Sequence, residues 1–227
     1  MLGLNIIAFV ILLIITILFV KNNKNNIENF LEFIHIPKNA GTTIENIAND
    51  KNVKWGRFKP EHKKKVATNK CTYWHVPPKH FYLNNFYDSD DTFCVFRDPR
   101  DRMVSEYSYR HKGKMDKNNK EDMNKWLKEN MNDDNVYNGT LNCHFVPQHE
   151  YIYNDKDERT CKHILKFENL TSEFNDLMKH KKIDVRMDDK KKYNKSNFNL
   201  TIDDIDDENM KKIFNFYKKD FEIQKLL

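Results

Sequence analysis

Glycine is scarce in this chain, five in 227 residues. An all-β protein built on tight turns needs more, because several turn types place a residue at positive φ; the count favours an α/β or α-rich architecture. Net charge is also small: 39 lysines and arginines stand against 34 aspartates and glutamates, interleaved along the chain, for a formal +5. That balance describes a solvated Lys/Asn-rich surface. No basic segment interleaved with aromatics forms a nucleic-acid-binding module. Internal repeats and a second domain boundary are lacking too, and 39% hydrophobic with 13% aromatic residues supply one core for a domain of about 200 residues.

One long apolar run is present. Leu2 to Val20 (LGLNIIAFVILLIITILFV) carries no charge and, at about 1.5 Å per residue, spans roughly the 30 Å of a bilayer core. A cleaved signal peptide would have a shorter apolar stretch, basic residues before it and a small-x-small site after it. Here Lys21 and Lys24 follow the run instead. The pattern predicts an uncleaved transmembrane anchor over 1–20, a polar stem over 21–30 and one globular domain over 31–227. The flanking lysines favour the cytoplasmic side for that domain. Four cysteines, and sequons at Asn138, Asn169, Asn194 and Asn199, suit a lumen, so the residues alone leave the topology open.

Within the domain, LEFIHI (Leu31 to Ile36), TFCVF (Thr92 to Phe96) and HILKF (His163 to Phe167) are continuous apolar runs of the kind that forms buried parallel strands. Helical spacing follows each of them. Ile44, Ile47 and Ala48 mark one helix; Met103, Val104 and Tyr107 mark another, with Asp98 as its N-cap and Pro99 at its first position. Met123, Trp126, Leu127 and Met131 form a third stripe, and a further helix starts near Thr171. The last helix opens acidic, TIDDIDDEN, and ends lysine-rich, matching the helix dipole; its stripe is Met210, Ile213, Phe214, Tyr217 and Phe221. Strands alternating with helices predict a three-layer, P-loop-like α/β fold with a mainly parallel sheet and ligands at the carboxyl ends of the strands.

FIHIPKNAGTTIEN (Phe33 to Asn46) leaves the first strand through a loop and enters a helix, which aims backbone N–H groups and the positive helix end at one point. Gly41 allows close backbone approach, Thr42 and Thr43 add hydroxyls, and Lys38 is a mobile point charge. A Walker loop would place its lysine after the last glycine; this one does not. At the end of the second strand, FRDPRDRMVSEY sets Arg97 where it can fork onto an anion, with Ser105 on the same helical face as Asp98, Asp101 and Arg102. Cys143 and Cys161 are spaced for a disulfide closing about nineteen residues, worth ~3 kcal/mol, and Cys94 reads as a buried thiol. A zinc site from these cysteines and nearby histidines has no usual finger or ribbon spacing.

HIPKNAGTT followed by VFRDPRDRMVSEY resembles the 5′-phosphosulfate loop and the 3′-phosphate motif of the Golgi carbohydrate sulfotransferases, membrane-anchored enzymes that use 3′-phosphoadenosine 5′-phosphosulfate. It is most similar to the group containing the glycosaminoglycan and chondroitin-type enzymes. CHFVPQHEYI, HILKFENL, KYNKSNF and YKKDFEI echo it more loosely. The resemblance implies that Pro37, Lys38, Asn39, Ala40, Gly41, Thr42 and Thr43 hold the 5′ end of the donor, with Lys38 on the leaving phosphate. It implies that Arg97 and Ser105 hold the 3′-phosphate, and that no metal is required. The family pattern more often has PKTGGT, so Ala40 replaces a glycine, which is tolerated unless the position needs a positive φ.

His75, in TYWHVPPKHF, matches a segment that supplies the general base in some relatives, and imidazole suits that task near neutral pH. Glu45 is its rival, and His35 reads as a satisfied interior histidine. Lys195 and Ser196, in YNKS, are expected to close over the donor unless Asn194 is glycosylated. The expectation is therefore transfer of a sulfuryl group to a carbohydrate hydroxyl in the Golgi lumen, from a single-pass protein with a cytoplasmic N-terminus. The alternatives are another P-loop kinase-like enzyme, which the lack of an acidic magnesium ligand on an adjacent strand opposes, and a non-catalytic glycan-binding relative.

Overall fold

The apolar runs pair as β1 (Glu32–Ile34), β2 (Thr92–Phe96) and β3 (His163–Lys166), parallel and in the order β1-β2-β3. The computed structural model describes residues 30–66, 70–83, 86–188 and 198–227. The predicted anchor, nearly all of the stem, and Lys195 and Ser196 lie outside the described residues. Among the described residues no helix is long and apolar enough to cross a membrane.

Around the sheet run α1 (Gly41–Asn49), α2 (Pro99–Arg110), α3 (Lys120–Asn130), α4 (His149–Ile152), α5 (Leu170–His180), α6 (Asp207–Phe216) and α7 (Lys218–Gln224). β2 is buried along its whole length, which is why its sequence is continuously apolar rather than alternating. One face, with Phe33, Phe93 and Leu165, packs on Ile44, Trp55 and Phe174. The other, with Ile34, Cys94 and Phe96, packs on Val146, Ile152 and Ile223. A third cluster joins α2, α3 and α6 through Met103, Tyr107, Leu127 and Ile213.

Local signals account for most helix ends. The Asp98 side chain accepts from Arg100 N at 2.8 Å, with Pro99 in the first helical position, satisfying an otherwise orphaned amide. The C-terminal stretch departs from the expected single helix. TIDDIDDEN supplies two starts, Thr201 capping a separate turn over Ile202–Asp204 and Asp206 capping α6. The helix then breaks at Tyr217, whose fully buried ring sends its hydroxyl to Phe145 O at 2.8 Å. That break lets α7 present Asp220 to the amides of Gln148 and His149.

The disulfide predicted between Cys143 and Cys161 is not formed. Cys143 pairs with Cys71 (Cα–Cα 5.4 Å) and Cys161 with Cys94 (6.0 Å). The reason is the sheet. β3 lies directly beside β2, with Phe93 opposite His163 and Cys94 opposite Ile164, so Cys161 arrives next to Cys94, and the expected buried thiol becomes a cross-link. The two bridges span 72 and 67 residues, each worth about 4 kcal/mol by loop-closure entropy. Peptide mapping without reduction should recover Cys71–Cys143 and Cys94–Cys161, and the double variant Cys94→Ala/Cys161→Ala should unfold about 4 kcal/mol more easily; a Cys143–Cys161 peptide would contradict the pairing.

Candidate active site

The loop at the end of β1 is a tight turn over residues 37–40 that runs into α1. Its unusual backbone lies at Lys38 (φ 70) and Ala40 (φ 62), both left-handed. Thr43 N and Ile44 N fold back onto Ala40 O, while among the described residues the amides of Ala40, Gly41 and Thr42 meet no acceptor. Three unengaged N–H groups at a helix N-terminus form an anion cradle. Ala40 thus holds the positive φ that a glycine would take without strain, at a cost of about 1–2 kcal/mol. Gly41 is needed for a different reason: a Cβ there would lie 2.1 Å from His35 Nε2.

The second motif closes on the first. Arg97 donates from Nη1 to Lys38 O (2.9 Å) and from Nε to Asp101 Oδ2 (2.6 Å), and its guanidinium lies 4.1 Å from the Phe167 ring centre. Ser105 stands half-buried on the next turn of α2. Fully buried Arg102 donates from Nε to Pro37 O (3.0 Å) and from Nη2 to His144 O (2.8 Å) and Val146 O (3.0 Å), and its Nη1 has no hydrogen-bond partner among the described residues. A buried cation whose hydrogen bonds go to carbonyl oxygens, with no carboxylate among its partners, adds positive potential beneath the loop.

Sequence reasoning missed the residue that ties these parts together. The buried Gln148 side chain accepts from Asn39 Nδ2 (2.6 Å) and Arg97 N (3.1 Å), and donates to Arg97 O (2.8 Å). Asn39 Nδ2 also reaches Val95 O at 2.7 Å. Gln148 N and His149 N donate to the two carboxylate oxygens of buried Asp220 (2.8 and 2.9 Å). For Gln148 the sequence signal was the loose echo CHFVPQHEYI, and for Asp220 the loose echo YKKDFEI.

Charge here departs from solution values. Burial lowers the Lys38 ammonium pKa to about 8, opposed by Glu106 and reinforced by Arg97, Arg110 and Arg102; its Nζ stands 3.9 Å over the Tyr109 ring. His75 lies in a 3₁₀ turn, Tyr73–His75. It is buried, and burial, followed by His35 and His144, pushes its pKa well down. Its Nδ1 meets Asn142 Nδ2 at 3.0 Å. Glu45 is buried and already accepts from His35 Nδ1 (2.6 Å) and Arg57 N (3.1 Å). His35 is therefore the satisfied interior histidine expected.

The α/β domain thus brings a phosphate-type loop at one strand end beside an arginine-serine motif at the next, a pairing of amides and a guanidinium suited to anions. The chain matches the model of the Sulfotransferase family over residues 26–225, and it belongs to that family. Comparison with curated proteins and with solved structures found no match.

Two stability predictions follow from the site. Ala40→Gly should raise unfolding free energy by about 0.5–1 kcal/mol, relief of strain exceeding the added chain entropy; a loss, as at an ordinary helical φ, would contradict the left-handed assignment. Burial opposes protonation of His149, but hydrogen bonds to Asp220 and Glu150 raise its pKa to about 9. A raised folded value makes its stabilisation complete below the unfolded value of 6.5 and lost as pH climbs through about 9, roughly 3 kcal/mol in all. Denaturant titrations from pH 6 to 9.5 should show that slope in the wild type and a flatter one in His149→Gln.

Proposed function

We propose that this protein transfers the sulfuryl group of 3′-phosphoadenosine 5′-phosphosulfate to a carbohydrate hydroxyl, as a Golgi-membrane protein with its domain in the lumen. The observation that carries the donor assignment is the Arg97–Lys38 O bond, which joins the loop amides and the arginine-serine motif into one positive site. The acceptor class and the location rest on the resemblance to carbohydrate sulfotransferases, the Leu2 to Val20 run and the sequons.

The residues fit such a donor. Free amides at Ala40, Gly41 and Thr42, with the hydroxyls of Thr42 and Thr43, suit the 5′ phosphosulfate; Arg97 and Ser105 suit the 3′-phosphate. When bound, the donor supplies the electrophilic sulfur. Lys38 neutralises charge that builds on the bridging oxygen as the S–O bond breaks, and the acceptor hydroxyl approaches in line. Its proton passes to a side chain beside the loop, for which the histidines rather than the already engaged Glu45 are suited.

Incubation with labelled donor and a panel of glycosaminoglycans and N-glycans should move label onto a glycan; magnesium-dependent turnover of ATP with no sulfate transfer would refute the reading. Lys38→Ala should lower kcat by two or more orders of magnitude, and Arg97→Ala should mainly raise the donor KM. In the wild type, kcat/KM for the donor should fall above about pH 8 as free-enzyme Lys38 loses its proton.

A further inference from the structure

Three imidazoles stand edge to face beside the loop: His35 and His75 with ring centres 4.6 Å apart, His75 and His144 4.9 Å apart. Each has a different partner on Nδ1, and that partner sets which nitrogen carries the proton. His144 Nδ1 meets Glu106 Oε2 at 2.7 Å, while Glu106 Oε1 accepts from Arg110 Nε at 2.7 Å. Glu106 is fully buried. Burial would raise its pKa, but His144, Lys38 and Arg110 lower it, so it is ionised. An ionised carboxylate only accepts. His144 therefore carries its proton on Nδ1 and a lone pair on Nε2.

His75 has the opposite arrangement. Thr72 N donates to Asn142 Oδ1 at 2.6 Å, which fixes the amide so that its NH₂ group faces His75 Nδ1 at 3.0 Å. His75 Nδ1 must accept, so its neutral ring holds the proton on Nε2. A ring in that state donates; it has no free lone pair for a hydroxyl proton.

We propose that His144 is the general base, that Glu106 is its positioning residue, and that His75 acts as a hydrogen-bond donor. The inference rests on the sulfuryl-transfer reading and names the proton acceptor within it. His35 has a comparable carboxylate on Nδ1, but its Nε2 is pressed against Gly41, where a Cβ would lie 2.1 Å away, leaving no room for an acceptor hydroxyl. His144, though also buried, lies on the Lys38 side of the loop. Its ring centre lies 5.7 Å from Tyr109, and Lys38 Nζ stands 3.9 Å over that same ring. The charged and titratable neighbours of His144 are thus Glu106, Arg110, Lys38, Tyr109, His75 and, at its carbonyl, Arg102.

In the step, the acceptor oxygen bonds to sulfur as its proton moves to His144 Nε2. The S–O bond to the 5′-phosphate breaks with its electron pair on the phosphate oxygen, beside Lys38. The products are a sulfate ester, 3′-phosphoadenosine 5′-phosphate and an imidazolium paired with Glu106, which returns its proton to water. Glu106 stabilises that imidazolium and keeps the ring from turning.

The test is ¹⁵N NMR of full-length protein labelled at histidine, assigned with His75→Gln and His144→Gln, at a pH where both rings are neutral. The expected result is an Nδ1–H tautomer for His144 and an Nε2–H tautomer for His75; the reverse pair overturns the proposal. Titration of the same sample with 3′-phosphoadenosine 5′-phosphate separates it from the reading beneath it. Expected tautomers without any binding would sink the donor assignment and this step with it, whereas reversed tautomers in a protein that binds would sink this step alone. With pooled desulfated glycosaminoglycans as acceptor, His144→Gln should lose the acidic limb of the kcat–pH profile and His75→Gln should keep it. Glu106→Gln should move that limb to lower pH by about one unit. A limb that vanishes in His75→Gln and survives in His144→Gln overturns the assignment.

Discussion

The Gln148 side-chain amide is the contact on which the site depends. It accepts from Asn39 in the loop after β1 and from the Arg97 backbone at the end of β2, and it donates to the Arg97 carbonyl. A loop and a strand end that are distant in sequence are held at one spacing by a single planar group. Gln148 is held in turn, through its own backbone N–H, by Asp220 on α7, so the C-terminal helix braces the loop near the start of the domain. The bonds to Asn39 and Asp220 are buried and those to Arg97 half-buried; a lost partner in the buried ones leaves an unsatisfied group costing about 1–3 kcal/mol. The arrangement therefore behaves as a unit rather than as separable contacts.

Upon that frame the protein concentrates positive charge that it does not fully neutralise. Arg102 hydrogen-bonds to carbonyl oxygens, and Lys38 is held over an aromatic face instead of against a carboxylate. Burial of such cations is costly without an anion. The left-handed backbone at Lys38 and Ala40 and the run of positive φ at Leu141, Asn142 and Cys143 add strain at the same place. Sites that bind and transform a ligand commonly carry such costs. Here they leave the loop amides unengaged on one side and set Asn142 against His75 on the other.

The strands, the Asp98–Pro99 helix start and the anion loop were legible in the sequence because each rests on a local rule: continuous apolarity, a cap, a strand-to-helix turn. Pro37 to Thr43 and Arg97 do converge. What was not legible depends on register and long-range packing. Cys94 meets Cys161 because β3 lies directly beside β2, and nothing in the cysteine spacing encodes that. The final helix read as continuous because its apolar stripe runs past Tyr217, and the break is set by where the Tyr217 hydroxyl must reach. Glu106, His144 and Gln148 lay inside quoted segments, yet nothing local marked them out, since a buried polar residue looks like a surface one until its partners are known. His75 drew attention through its neighbours in sequence, although its Nδ1 is taken by an asparagine 67 positions away.

The central claim is that the loop after β1 and the motif after β2 form one site for a nucleotide with phosphates at both ends of its ribose. Calorimetric titration of the full-length protein with 3′-phosphoadenosine 5′-phosphate beside adenosine 5′-phosphate tests it directly. Two charge-assisted contacts from Arg97 and Ser105 should favour the 3′-phosphorylated nucleotide by at least about a hundredfold, with the preference lost in Arg97→Ala. Equal affinities for the two nucleotides, or a preference unchanged by Arg97→Ala, would contradict the account.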